Sequence, residues 1–434
     1  MSAVVSTDAA VWREKDAELI SGVYSRYSDL VVESAQGAHL HTADGRDVLD
    51  FGSGIAVTNL GHRHPAVVKA VHEQVDRVWH TSVTALNEQM IEAAAALVSV
   101  APAGLDQVFF GNSGTEAVEG AIKLARRATG RSDVIAFTGG FHGRTYGAMT
   151  LTASKARLRH GMGPFLPGVH HVRYPYCFRY CAHGDGEACS IAAGDDIRLL
   201  FATAAPPDSV AAIIVEPVQG EGGFVVPPAA FLPALRALCD EHGILIIVDE
   251  VQTGFARTGR MFAVEHVGVQ PDIMCVAKAL ANGLPIGAIL ARHDVMQRWS
   301  TGEHGSTYGG NAVACAAARA VIETMVRERI PERAAMLGRK VLSRAQGWKA
   351  AMPLLGDVRG LGLMVGLEFV RNGEPAPDLV ARIQENALRR DLLVLTCGIY
   401  DNVIRLLPPL TIPEAELDAG LDTLEAAMRE ETSR

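Results

Sequence analysis

Four short apolar runs, separated by stretches of helical periodicity, constrain the fold of this chain more than any other feature. The runs are rich in β-branched residues and read VIAF at 134–137, AAIIVE at 211–216, ILIIVDE at 244–250 and DIMCVA at 272–277. Runs that are apolar on both faces are typical of parallel strands covered by helices. Because helical segments lie between them, we expect an α/β fold with a mostly parallel sheet flanked by helices.

The segments between these runs carry the start and stop signals of helices. Residues 114–129 place small and branched apolar side chains on one face, with Glu119 and Lys123 as an i, i+4 pair on another. Residues 228–242 begin with proline and end before Gly243. We predict a helix over each segment, and an ion pair between Glu119 and Lys123.

Both ends of the chain differ in pattern from its middle, and 434 residues suffice for two packed domains. After about residue 330 a helical stretch leads into short strands and a closing helix at 413–429, which predicts a smaller α+β domain. The first 50 residues contain a helix and the strand–turn–strand pattern HLHTADGRDVLDF. We expect an N-terminal segment packing with the small domain, a large domain and a small C-terminal domain, at 1–60, 61–328 and 329–434.

Composition excludes several classes of protein. The net charge of −9 argues against a nucleic-acid partner, which requires a basic face. No apolar run reaches the roughly 20 residues needed to cross a bilayer, and the first 20 residues offer no signal-peptide core. We expect a cytoplasmic enzyme that acts on small molecules, with no membrane or nucleic-acid partner.

Two charged residues stand at the ends of successive predicted strands. Asp249 ends the run ILIIV, and Lys278 follows DIMCVA, about 29 residues later. Open α/β sheets bind ligands at this edge. Burial lowers the pKa of a lysine and favours the nucleophilic amine of imine chemistry, and a carboxylate can keep a pyridinium nitrogen protonated. Each residue alone has an ordinary alternative, as a helix cap or a surface cation, but together they indicate imine chemistry on an aromatic cofactor.

A glycine-rich turn and an aromatic residue lie beside this predicted site. The turn GNSGTEA contains Ser113, Gly114 and Thr115 and precedes a predicted helix, so backbone N–H groups and hydroxyls there can hold a phosphate. It is not a P-loop, because no Gly-Lys-Ser/Thr follows. Phe141 and His142 follow the first run, and the Phe141 ring can stack on a flat cofactor or belong to the core.

Six motifs occur in the order found in the class III aminotransferases, which this sequence resembles from about residue 30 to about 428. They are GNSGTEA, GGFHGRT, EPVQGEGG, VDEVQTGFARTG, AKALANGLPIGA and STYGGNAVACAAA. The resemblance implies a fold type I enzyme that uses pyridoxal 5'-phosphate and works as a homodimer or a dimer of dimers, with the active site at the subunit interface.

The resemblance also implies roles for individual residues. Lys278 is then the Schiff-base and catalytic lysine, and Asp249 is the catalytic partner of the pyridinium nitrogen. The other expected cofactor contacts are Gln252 to the phenolic oxygen, Ser113, Gly114 and Thr115 to the phosphate, Phe141 and His142 beside the ring, and Thr307 of the neighbouring subunit to the phosphate.

The C-terminal stretch LLVLTCGIYDNVIRLLPPLTI resembles the 4-aminobutyrate branch of the family. Ile55 stands where ornithine aminotransferases generally carry a tyrosine, which disfavours ornithine but not acetylornithine. We expect transfer of the terminal amino group of an ω-amino acid, with 4-aminobutyrate first, to 2-oxoglutarate through a pyridoxamine phosphate intermediate. Acetylornithine, ornithine or 5-aminovalerate transamination and amino-acid racemisation remain alternatives, and a non-catalytic binding protein is disfavoured because Lys278 and Asp249 are present.

Such an enzyme must bind one carboxylate in one half-reaction and two in the other. Arg144 and Arg405 are candidates for paired hydrogen bonds to carboxylates. We expect Glu216 to neutralise Arg405 when no α-carboxylate is bound, because an unpaired buried arginine is costly. The alternative is that Glu216 and Arg405 form a fixed structural ion pair.

Three of the seven cysteines, Cys177, Cys181 and Cys189, cluster with His183. A zinc site can be built from such ligands, but the spacing does not contain two short pairs that clamp a metal. We therefore expect a loop with incidental thiols and no metal.

Overall fold

The computed structural model describes residues 8–181 and 186–433. Within them, the strands in chain order are β1 Val32–Gln36, β2 His39–Thr42, β3 Asp47–Asp50, β4 Gln107–Gly111, β5 Asp133–Phe137, β6 Val169–Val172, β7 Val210–Val215, β8 Leu245–Asp249, β9 Ile273–Val276, β10 Gly287–Ala291, β11 Leu355–Leu361, β12 Met364–Arg371, β13 Glu374–Pro375, β14 Leu392–Leu393, β15 Leu395–Cys397 and β16 Val403–Leu406.

The α-helices of the same residues are α1 Ala9–Leu19, α2 Ser53–Ala56, α3 Pro65–Val75, α4 Glu88–Val100, α5 Gly114–Thr129, α6 Tyr146–Leu151, α7 Cys177–Tyr180, α8 Gly186–Thr203, α9 Phe231–His242, α10 His293–Met296, α11 Ala312–Arg327, α12 Ile330–Ala351, α13 Pro377–Arg389 and α14 Glu414–Thr432. Short 3-10 helices span Ala156–Leu158, Pro207–Ser209, Ala263–His266 and Lys278–Ala281. Among these described helices, none has the length and apolar character needed to cross a membrane.

The predicted α/β fold is confirmed by a seven-stranded central sheet, whose order is β4-β10-β9-β8-β7-β5-β6. Neighbouring strands from β9 to β6 pair in parallel, and β10 runs antiparallel to both of its neighbours. All residues of β7, β9 and β10 are buried, as expected for strands covered on both faces. The four apolar runs of the sequence thus become the middle of this sheet.

Helix α5 has the bounds that the sequence predicts, and α9 begins at Phe231, three residues after the predicted start. The predicted pair of Glu119 and Lys123 is wrong. Glu119 instead accepts hydrogen bonds from Thr145 Oγ1 (2.6 Å) and from the Ala148 backbone (3.0 Å), and Lys123 Nζ lies 2.9 Å from a ring nitrogen of His304. Partners fixed by tertiary packing replace a weak pair along the helix surface.

Two smaller sheets are formed by strands from the N-terminal and C-terminal parts of the chain. Strands β11, β12, β16 and β15 form one antiparallel sheet, with β13 added to β12. The N-terminal strands β1, β2 and β3 form the other, and β3 pairs in parallel with β14 through Leu49 and Leu392. The N-terminal strands therefore contact the C-terminal part of the chain, and the domain boundaries at 60 and 328 remain a proposal.

A fully buried arginine connects the parts of the chain that these sheets define. Arg257 Nη1 donates to the carbonyls of Leu363 (3.1 Å) and Pro408 (2.7 Å), and Nη2 donates to Asn59 Oδ1 (2.5 Å). The Leu363 backbone N–H donates back to the Arg257 carbonyl at 3.0 Å. One side chain from the β8–β9 connection thereby holds the segment before α3 and two segments near the C-terminus.

Candidate active site

A cavity of about 510 Å³ opens at the carboxyl ends of β7, β8 and β9. Glu216 follows β7, Asp249 ends β8 and Lys278 lies two residues after β9, so the three strands bring these side chains to one edge of the sheet. The other predicted site residues that line the cavity are Ser113, Gly114, Thr115, Phe141, His142, Arg144 and Gln252. Parallel strands present their carboxyl ends at one edge, which explains this convergence.

Asp249 is buried and held in one orientation. One of its carboxylate oxygens accepts a hydrogen bond from the Val251 backbone at 3.0 Å, and the other lies 2.8 Å from Nδ1 of the buried His142. Burial by itself lowers the pKa of His142, but the hydrogen bond and the charge of Asp249 outweigh this and raise it above its ordinary value. The Asp249 carboxylate therefore faces the cavity in a fixed position, beside the imidazole of His142.

Lys278 reaches the cavity from the start of a 3-10 helix, where its backbone φ is +40°. A β-carbon makes this left-handed conformation unfavourable, so surrounding packing must hold it. Burial lowers the pKa of Lys278 to about 8, although the charge of Asp249 opposes the shift. More of this amine is therefore uncharged near neutral pH than for a lysine in water, and the uncharged form is the one that nucleophilic attack requires.

The glycine-rich turn forms a tight cradle at the start of α5. Ser113 caps the helix, accepting from the Glu116 backbone at 3.3 Å, and Ser113, Gly114 and Thr115 line the cavity at the start of the helix. A β-carbon on Gly114 would come within 2.8 Å of Val251, and one on Gly143, whose φ is +138°, would collide with Thr115. Backbone here can approach an anion closely, which suits a phosphate.

Gln252 and Arg144 both line the cavity and present polar groups that can bind a ligand. The Gln252 side-chain oxygen is buried and has no hydrogen-bond partner among the described residues, while the amide packs against Gly220. The half-buried Phe141 ring carries the Arg144 guanidinium 5.6 Å from its centre. Arg144 is itself exposed at the cavity, where it can receive an anionic group.

The buried Arg405 pairs with a different glutamate from the one that the sequence suggested. Its Nη1 lies 3.2 Å from an oxygen of Glu221, and its Nη2 donates to the hydroxyl of Tyr27 at 2.7 Å. Its Nε is buried and has no hydrogen-bond partner in the described part of the chain. Glu221 lines the cavity, whereas Arg405 stands behind it.

Glu216 is not the partner of Arg405 in this structure, because both of its oxygens are bound elsewhere. They accept hydrogen bonds from the backbones of Phe141 and Gly220, each at 2.9 Å. Burial raises the pKa of Glu216 above its ordinary value. Glu216 therefore braces two loops of the cavity wall, and the carboxylate that contacts Arg405 belongs to Glu221, five residues later in the same turn.

Besides Arg405, two further predicted residues do not line the cavity of this chain. Ile55 is 38% exposed and lies in the short α2, Ser53–Ala56, where all four residues have positive φ. Val57, two residues later, does line the cavity. Thr307 is exposed and lies outside the cavity.

Sequence reasoning missed Glu221, Tyr27 and Lys155, a buried lysine whose Nζ lies 2.8 Å from Glu221. Only Glu221 had a usable signal, since it is the second glutamate of the motif EPVQGEGG. Tyr27 and Lys155 lie far from that motif in sequence, and only the folded chain brings them together.

The cysteine loop lies away from this cavity. Cys181 and Cys189 form a disulfide that joins the end of α7 to α8. The sulfurs of these two residues and of Cys177 all lie within 4.8 Å of one another, and His183 falls outside the described residues. The expectation of incidental thiols is wrong for Cys181 and Cys189, because they are paired.

Comparison with known proteins agrees with this geometry. Residues 22–428 match the aminotransferase class-III family. The chain is 38% identical over 429 residues to a probable 4-aminobutyrate aminotransferase of Bacillus subtilis, covering 98% of each protein. It is 46% identical over 409 residues to an acetylornithine aminotransferase of Methanopyrus kandleri, covering 94% of this chain and 96% of the relative. An amine transaminase structure from an uncultivated Pseudomonas species, solved with PLP bound, superimposes with a TM-score of 0.89 at 32% identity, covering 95% of this chain and 98% of the other.

Proposed function

Because this chain belongs to the class III aminotransferases, which are pyridoxal-phosphate-dependent enzymes, we propose that it moves the terminal amino group of an ω-amino acid to 2-oxoglutarate. The preferred donor in this proposal is 4-aminobutyrate. One observation carries it: the buried Arg405 is paired with the carboxylate of Glu221, which lines the cavity in front of it. Such a pair allows one site to accept substrates with and without an α-carboxylate.

The residues of the cavity fit pyridoxal 5'-phosphate. The N-terminus of α5, with Ser113, Gly114 and Thr115, offers a phosphate cradle that a β-carbon on Gly114 would fill. The buried side-chain oxygen of Gln252 has no hydrogen-bond partner within the described segments. Turned by half a rotation, the same amide would donate from its NH2 group to the phenolic oxygen of the cofactor. Asp249 is placed to pair with the pyridinium nitrogen, and Phe141 to lie against the ring.

In this proposal Lys278 holds the cofactor and moves the proton. The bound cofactor supplies an electron sink for the pair of electrons left when the substrate C–H bond breaks. With the cofactor bound, Lys278 Nζ would be the group that holds its aldehyde carbon and that carries the proton lost from the substrate carbon. Asp249, fixed by His142 and the Val251 backbone, would pair with the ring nitrogen and favour its protonated form.

The two arginines divide the carboxylates of the substrates between them. Arg144, exposed at the cavity, binds the carboxylate that is distant from the reacting carbon. With 4-aminobutyrate no second carboxylate is present, and Glu221 stays on Arg405. With glutamate or 2-oxoglutarate the α-carboxylate takes the place of Glu221 on Arg405.

Acetylornithine is the second candidate donor, favoured by the Methanopyrus kandleri relative. It also transfers a terminal amine, and the apolar Ile55 beside the cavity does not oppose it. Both donors use the same arrangement of Lys278 and Asp249, so the difference between them lies in how the distal end of the substrate is held.

We further propose that the enzyme is cytoplasmic and works as a homodimer or a dimer of dimers. Exposed apolar side chains next to Thr307 support this assembly. Val78, Trp79 and Tyr308 are 40%, 62% and 64% exposed, and the Tyr308 ring lies 5.1 Å from that of His80. Contiguous apolar surface of this kind is typical of protein interfaces, and it would bring Thr307 to the phosphate of the other subunit. Sedimentation of a fully active monomer would contradict this.

The activity is tested by a donor screen with 2-oxoglutarate as acceptor and glutamate formation as readout. The donors are 4-aminobutyrate, acetylornithine, 5-aminovalerate and ornithine, with Lys278→Ala as the inactive control. We expect 4-aminobutyrate to give the highest kcat/KM and Lys278→Ala to give no turnover. Failure of every donor, together with interconversion of amino-acid enantiomers without an acceptor, would replace the proposal with a racemase.

A further inference from the structure

A buried lysine lies behind the glutamate that pairs with Arg405. Lys155 Nζ lies 2.8 Å from one oxygen of Glu221, while Arg405 Nη1 lies 3.2 Å from the other. Lys155 is 7% exposed and does not line the cavity. Glu221, which does line the cavity, is therefore held between two cations: Arg405, the proposed receptor of the substrate carboxylate, and Lys155.

We propose that Lys155 is a positioning residue that retains Glu221 whenever a substrate α-carboxylate displaces it from Arg405. The inference rests on the proposed function, since it concerns the half-reaction with a dicarboxylate. With an ω-amino acid bound, Glu221 contacts both cations. With glutamate or 2-oxoglutarate bound, the oxygen that faced Arg405 moves away, and the other oxygen stays on Lys155 as the pivot.

The backbone around Glu221 restricts this movement to the side chain. The Glu221 carbonyl accepts a hydrogen bond from the Gly398 backbone at 3.0 Å, and the Gly223 backbone donates to Gly220 at 3.1 Å. Glu221 is mostly buried, with a side chain 20% exposed. A carboxylate released there without a cation would be destabilised by lost hydration. Lys155 removes that penalty, because its contact with Glu221 exists in both states.

The charges around Lys155 suit this role. Burial lowers the pKa of Lys155, but the charges of Glu221 and Asp401 outweigh this and raise it, so the amine is charged at neutral pH. Its second partner, Asp401, lies 2.5 Å away and is also bound by Arg157 at 2.7 Å. When Lys155 is replaced, Asp401 is still paired with Arg157. Glu221 is then paired with a cation only while it remains in contact with Arg405.

The test is to measure the two half-reactions separately by stopped-flow absorbance in Lys155→Met. We expect kcat/KM for glutamate and 2-oxoglutarate to fall roughly 10- to 150-fold, the range for loss of one charged hydrogen bond. The value for 4-aminobutyrate should change by less than about 3-fold, because Arg405 still neutralises Glu221 in that half-reaction.

Three further variants separate positioning from a general structural effect. Lys155→Arg retains the charge and should restore most of the dicarboxylate rate. Arg157→Met removes a cation from the outer end of the same network, without contact to Glu221, and should leave both half-reactions near wild type. The double variant Lys155→Met/Glu221→Gln should recover dicarboxylate turnover relative to Lys155→Met, because no displaced charge then needs a partner.

Equal losses in both half-reactions of Lys155→Met, or no recovery in the double variant, would overturn the role of Lys155. Failure of the proposed function gives a different result, since wild type would then not turn over the dicarboxylates, or Arg405→Ala would lack selectivity between the two substrates. Thermal melting of each variant reports any loss of folding separately.

Discussion

Replacing Glu221 by glutamine should slow the ω-amino acid half-reaction selectively. Arg405 is 1% exposed, and its partners are Glu221 at 3.2 Å and the Tyr27 hydroxyl at 2.7 Å. Glutamine keeps the size of the side chain but removes its charge. The guanidinium would then face a substrate methylene with only a neutral phenol and amide beside it.

The size of the effect follows from that contact. A hydrogen bond to a charged group contributes about 1.5–3 kcal/mol, which corresponds to roughly 10- to 150-fold in kcat/KM. We expect this loss with 4-aminobutyrate. Glutamate and 2-oxoglutarate bring their own carboxylate to Arg405 and no longer need to displace a competing anion, so their rates should stay constant or rise.

Single-turnover stopped-flow measurement of each half-reaction tests this, with Arg405→Ala as the reciprocal variant. In Arg405→Ala the dicarboxylates should lose about 2–4 kcal/mol of transition-state stabilisation, roughly 30- to 1,000-fold, and 4-aminobutyrate much less. Glu216→Gln is the matched control, because Glu216 lies in the same turn but binds backbone N–H groups. A selective effect of Glu216→Gln, or an equal loss of both substrates in Glu221→Gln, would refute the assignment.

Three other predictions follow from the buried charges. Asp249→Asn should still bind the cofactor, as measured by its absorbance, but its turnover should fall by about 100-fold or more, because an unprotonated ring is a weak electron sink. A full rate would show that Asp249 does not act on the ring. The rate at which apoenzyme captures pyridoxal phosphate should rise with pH around a midpoint near 8, the pKa to which burial lowers Lys278; a midpoint near 10.5 would exclude this. Burial raises the pKa of Glu250 from 4.5 to about 7, so its contribution to stability is present below 4.5 and is lost as the pH rises through 7. Glu250→Gln should therefore weaken the pH dependence of urea unfolding between pH 4.5 and 7, by at most about 3 kcal/mol, and an unchanged slope would contradict this.

The sequence best predicts the positions of residues that are set by one strand or one helix alone. Asp249 and Lys278 are found where expected because a strand end fixes the sheet edge at which a following side chain appears. Each apolar run identifies its own strand, so no long-range information is needed. The same holds for α5, whose bounds follow from local caps and periodicity.

The partners of charged groups were much harder to predict. The position of Glu216 directly after a strand predicts that it pairs with Arg405, but both of its carboxylate oxygens accept hydrogen bonds from backbone N–H groups instead. Which glutamate reaches Arg405 depends on where the side chains of the turn after β7 point, and there it is Glu221 that does so. The sequence does not predict this, because a glycine-rich turn can adopt several backbone conformations. Lys123 illustrates the same difficulty, since its partner His304 is 181 residues away.

The hydrogen bonds of Arg257 have a consequence for how this chain folds. Its guanidinium binds Asn59, Leu363 and Pro408, which belong to segments separated by about 300 residues in sequence. Burial lowers its pKa to about 9, so a protein that lost any of these acceptors would leave a poorly solvated cation in its interior. A fragment that ends near residue 328 lacks two of the three acceptors. The segments before and after that point are therefore interdependent, and thermal unfolding should occur as one cooperative transition instead of two.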